Sequence, residues 1–138
     1  MSNVIDLFAA FSTDTAKEEA GTLTPLPECG DTKWLIARAG NKNYNRVLAS
    51  LYKRNRAALE AKGDEAEAKS NELLAEVFAK TILLGWEGTI MFKGKKEAYS
   101  EGVAKQLLLL KDFRAKVEAV SQDFSSFKTV QEEEDLGN

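Results

Sequence analysis

The chain has 138 residues, enough for one domain with its own core, and 19 basic residues stand against 22 acidic ones for a net charge of −3. That balance supplies no global field to gather nucleic acid or anionic lipid. The lone cysteine, Cys29, excludes an internal disulfide and a paired-cysteine zinc site, and the absence of histidine removes the commonest general base and the usual catalytic triads.

In chain order, residues 2–11 place Val4, Ile5, Leu7, Phe8 and Phe11 on a short amphipathic helix that Ser2 or Asn3 could cap. Asp6 interrupts its apolar run and no basic segment precedes it, so it does not read as a signal peptide. Residues 1–20 are therefore expected to form an N-terminal helical arm, either docked on the core or held for a partner. Residues 22–38 predict a hairpin. Pro25 marks its first strand as an edge, Gly30-Asp31 supply turn chemistry, and Trp34, Ile36 and Arg38 alternate with Leu35 and Ala37.

Asn41 is placed to cap a helix over 43–61, with Tyr44, Val47, Leu48, Leu51, Tyr52 and Leu59 at helical spacing. Its other face carries Lys42, Arg46, Lys53, Arg54 and Arg56, which could meet phosphates or pair with the next helix. That helix spans 64–84, opens on Asp64, Glu65 and Glu67, and buries Leu73, Leu74, Val77, Phe78 and Ile82. The short link between the two predicts antiparallel packing.

The helical run stops at Gly85 and Trp86, and residues 90–99 have the form of a hairpin turning at Lys93-Gly94-Lys95. Ser100 caps a long helix whose seam is Val103, Leu107, Leu110, Phe113, Val117, Val120, Phe124 and Phe127. A seam of that length either breaks near Lys111 and folds back, or leaves part of itself for self-association or a partner helix. Residues 128–138 read as an acidic disordered tail. The expected fold is thus mainly α: an antiparallel helix pair plus a long C-terminal amphipathic helix, with one or two short β-hairpins, as a single domain over 21–127.

No catalytic, cofactor or metal site emerges. Gly88 to Lys96 holds five residues between its glycines and a lysine where a phosphate loop needs Ser or Thr, so that motif is rejected. The carboxylates cluster at 64–67 and 132–135, which are capping or solvated positions. An enzyme, a small-molecule substrate, a nucleic-acid ligand and a membrane span are all unexpected. A lone thiol suits a reducing compartment.

The run Trp34 to Tyr44, with Trp34, Arg38, Gly40, Asn41 and Tyr44, resembles the tail assembly chaperones of long-tailed bacteriophages. So do Gly85, Trp86 and Gly88, the Tyr99-Ser100 pair, and the long terminal helix with its acidic end, in the same order over roughly residues 20–138. The resemblance implies a non-catalytic protein of the host bacterial cytoplasm, absent from the mature virion. It would bind and solubilise the tape measure protein, help recruit the tail tube protein, and self-associate. It also implies a −1 frameshift near the end of the frame. Leu136, Gly137 and Asn138 would carry the slippery heptamer if encoded as xxG GGA AAY. Trp86, Met91, Phe92, Leu107, Leu110 and Phe113 are the candidate partner surface, although Trp34, Tyr44 and Trp86 also suit a core. The alternatives are a structural virion protein of the tail completion or connector type, and a nucleic-acid-binding regulator using the basic face of 43–61.

Overall fold

The computed structural model describes residues 4–61 and 63–129. Among these, seven α-helices and two antiparallel sheets alternate along the chain. The helices are α1 (Leu7–Phe11), α2 (Thr15–Ala20), α3 (Lys42–Arg54), α4 (Arg56–Glu60), α5 (Asp64–Thr81), α6 (Glu101–Leu108) and α7 (Lys111–Gln122). The strands are β1 (Thr22–Pro25), β2 (Lys33–Ile36), β3 (Leu83–Trp86), β4 (Thr89–Phe92) and β5 (Lys95–Ala98), and a 3-10 turn covers Phe124–Phe127. With 57% helix and 18% strand the class is mixed α/β, which corrects the mainly α expectation.

The correction turns on β3. Periodicity extends the preceding helix to residue 84, but α5 stops at Thr81 and the next residues pair with β2. Trp34 lies opposite Trp86, Leu35 opposite Gly85 and Ile36 opposite Leu83, with a bulge between Leu35 and Ile36. A short apolar run such as Ile82-Leu83-Leu84 fits either state, and the free edge of β2 decides it. The sheet order is β1-β2-β3, so the predicted hairpin forms with one more strand than expected. Gly21 is required where β1 begins. Its φ is 88°, and a Cβ there would approach the Ile36 carbonyl carbon to 3.1 Å.

Helix α5 is the central post, with Leu73, Ala75, Val77, Phe78, Ala79 and Thr81 buried. Antiparallel to it runs α3, whose Tyr44 ring meets Phe78 at 6.1 Å and whose cap residue Asn41 reaches the Thr81 carbonyl at 3.4 Å. The expected helix over 43–61 is not continuous. Asn55 leaves helical geometry and donates its side-chain amide to the Leu51 carbonyl at 2.8 Å, separating α3 from α4.

On the other side of α5 lies α6, also antiparallel. Lys80 pairs with Glu101 at 3.1 Å, Glu76 with Lys105 at 3.5 Å and Glu67 with Lys111 at 3.6 Å. The acids of α5 thus serve α6 and α7 rather than the basic face of α3, against one of the two expectations for that face.

The single long C-terminal helix of the expected fold is corrected to the other reading of its seam, a break near Lys111. Leu110 turns extended (φ −76°, ψ 112°) and divides it into α6 and α7. A straight helix over 101–127 would run about 40 Å, beyond the roughly 30 Å width of a small domain. Breaking it lets Phe113, Val117 and Phe127 reach the core, and the Arg114 guanidinium donates to the Leu108 carbonyl at 2.9 Å to close the end of α6. The 3-10 turn then meets α2, where Asp14 N–H donates to Phe127 at 2.8 Å and Thr13 bridges Lys128. Arg38 joins the same corner by pairing with Glu18. So α2 is bound into the body of the domain, whereas α1 lies open, with its apolar residues Leu7, Phe8 and Phe11 exposed. The acidic run 132–135 and the proposed frameshift residues Leu136, Gly137 and Asn138 lie outside the described residues.

Candidate functional site

The candidate site forms where the β4–β5 hairpin leans over the α6–α7 elbow. The hairpin turns in two residues, Lys93 (φ 51°) and Gly94 (φ 82°), both left-handed as a tight antiparallel turn requires. Its strands alternate, so Ile90 and Phe92 are half-buried while Thr89 and Met91 are exposed. The elbow brings Leu107, Leu109 and Leu110 alongside.

Two recesses result, each of about 450 Å³, and they share Met91 and Leu107. The first is walled by Cys29, Trp34, Ile90 and Phe113, and the second by Phe92, Lys93, Gln106, Leu109 and Leu110. Together they make one apolar groove, open to solvent, with Met91 65% and Leu110 59% exposed. Lys93 is the charged side chain in its wall, holding Gln106 at 3.1 Å. Burial pushes the Cys29 thiol above its ordinary value, with Lys116 opposing the shift.

Of the six residues proposed from sequence as a partner surface, Met91, Phe92, Leu107, Leu110 and Phe113 line this groove. Trp86 does not. It is buried beneath the groove, in a stack that runs from Phe113 to Trp34 (5.4 Å), to Trp86 (5.4 Å) and to Tyr99 (5.1 Å). Its indole N–H donates to the Glu97 carbonyl at 3.2 Å, which anchors the hairpin to the sheet. Trp34 is buried too, and its indole N–H finds no acceptor among the described residues. Sequence reading passed over Ile90, Leu109 and Lys93. Ile90 was legible as the inward partner of Phe92 at strand alternation.

The remaining resemblance residues are structural. Asn41 accepts from Tyr44 N–H at 2.9 Å and donates to the Arg38 carbonyl at 2.7 Å, joining the end of β2 to α3. Gly85 lies against Leu35, Gly88 adopts a left-handed turn conformation, and so does Gly40. Tyr99 donates to the Leu83 carbonyl at 3.5 Å, and Ser100 accepts from Val103 N–H at 3.1 Å. Burial raises the Tyr44 and Tyr99 phenols above their ordinary value. Lys42, Arg46, Lys53, Arg54 and Arg56 are all exposed, and Lys53 and Arg56 border a separate shallow recess with Tyr52. Among the described residues no cluster of His, Cys, Asp and Glu could hold a metal ion. No described helix is long and apolar enough to cross a membrane.

Fold and groove together define a small antiparallel α/β domain with an open apolar groove. The chain belongs to the YdaY prophage protein family, whose model matches residues 39–138, and it is a phage-derived protein. The match takes in α3 through α7, with the groove residues of the β4–β5 hairpin and the elbow, and leaves out the arm, β1, β2 and the groove residues Cys29 and Trp34. No curated protein matches the chain, and no solved structure does.

Proposed function

We propose that the protein is a non-catalytic tail assembly chaperone that holds an apolar helical stripe of the tape measure protein in the groove. The groove itself carries this reading: exposed Met91 and Leu110, with Leu107 and Phe113 behind them, form an apolar cleft beside a basic hairpin bearing Lys93, Lys95 and Lys96. An amphipathic helix lays its apolar face into such a cleft, and covering that face keeps a long, exposed helical chain soluble. The phage family fits this setting. In this reading the protein works in the host bacterial cytoplasm, helps bring the tail tube protein to the tape measure, and is left out of the mature virion. A minor frameshift-extended product would carry a junction peptide after Leu136.

The test is co-expression of the tape measure protein with the wild-type chain and with Leu110→Asp, followed by fractionation. Wild type should keep the tape measure in the soluble fraction, and Leu110→Asp should lose most of that effect while melting normally. Full solubilisation by Leu110→Asp would remove the groove from the mechanism. Stoichiometric amounts of the chain in purified particles would favour a structural virion protein instead.

A further inference from the structure

The groove has a second claimant on the same chain. Ile5, Leu7, Phe8 and Phe11 are 60–85% exposed, although Phe11 leans on the Phe124 ring with centroids 4.9 Å apart. Helix α1 has five residues, and an isolated helix that short does not hold its form in water. We propose that the arm, residues 4–11, lies in the groove of a second copy of this chain, and that the exchange is reciprocal. This inference stands whichever protein the groove serves.

Area argues for reciprocity. At roughly 100 Å² for each large apolar side chain, of which 60–85% is exposed, the four named residues offer roughly 300 Å² for burial. With an equal area on the groove, one arm gives an interface of roughly 600 Å², below the ~1,000 Å² that a specific contact needs. Two arms exchanged about a two-fold axis give roughly 1,200 Å², at the lower edge of the standard range. A two-fold exchange also closes on itself, leaving no unfilled groove to propagate a fibre. Charge agrees, since Asp6 is the sole charge in residues 4–11 and Lys93 is the charged residue of the groove wall.

The exchange is tested by sedimentation velocity of the full chain over a concentration series. Wild type should dimerise reversibly. Phe8→Asp and Leu110→Asp should each raise the dimer dissociation constant more than about tenfold, with unchanged thermal midpoints; Met91→Asp stands in if Leu110→Asp unfolds. An equimolar mixture of the arm variant and the groove variant is the decisive sample. It retains one intact arm and one intact groove per pair, so it should associate more strongly than either variant alone and less than wild type. A monomeric wild type overturns the proposal, as does a dimer indifferent to Phe8→Asp. A mixture no stronger than its parts shows that arm and groove do not meet, and overturns it equally.

Discussion

The aromatic stack and the groove are both apolar, adjoin through Trp34 and Phe113, and draw on the same three stretches of sequence, 29–34, 86–99 and 106–113. They differ in closure. Trp34 is packed between Trp86 and Phe113 of α7, Trp86 between Trp34 and Tyr99, and the Trp86 N–H donates to the hairpin. Leu109 and Leu110 sit where the helix breaks and Met91 on the outward face of β4, and among the described residues nothing closes over them. Hydrophobicity alone does not separate a core from a docking surface. The path of the backbone around it does.

Removing a buried ring should produce the largest effect. Trp34→Ala empties space between Trp86 and Phe113 and should cost about 3–5 kcal/mol in denaturant unfolding. A loss below about 1 kcal/mol would mean that the stack is no more closed than the groove. Gly21→Ala comes next. It forces a side chain into a left-handed position and against the Ile36 carbonyl, and should cost about 1–3 kcal/mol by the same assay. On the open side, Leu110→Asp should change stability by less than about 0.5 kcal/mol, since the side chain already faces water.

The smallest effect belongs to alkaline pH. The Cys29 thiol in the groove wall and the Tyr99 phenol in the stack are both raised by burial, from 9.0 and 10.0. A raised folded value means that the native state holds its proton more tightly than the unfolded chain. Stability is therefore full below these values and falls as pH climbs through and beyond them. Denaturant midpoints should be flat from pH 7 to about 8.5 and then decline. Cys29→Ser should remove the earlier part of that decline and leave the tyrosine part.

Legibility followed how local the deciding forces are. Asn41 and Ser100 as caps, the turn between β1 and β2, and the Lys93-Gly94 turn all depend on residues within a few positions, and each was readable. Strand β3 was not, because its hydrogen-bond partners lie some fifty residues back along the chain. The elbow at Leu110 was foreseen only as one of two options. Four leucines in a row continue a helix as readily as they end one, and the gain that bends them comes from Val117 and Phe127 reaching the core. The same limit applied to the site. Alternation and seam spacing marked most of the groove, but whether Trp86 faced in or out depended on β2.

The placement of Trp34 between Trp86 and Phe113 also sets a timetable for the newborn chain. The ribosome finishes β2 long before it supplies either cover, and the final one arrives close to eighty residues later. At roughly 5–20 residues per second, the bare edge of β2 waits about 2.5–10 s for β3 and the indole about 4–16 s for Phe113. Until β3 emerges, the nascent polypeptide displays an adhesive strand of its own.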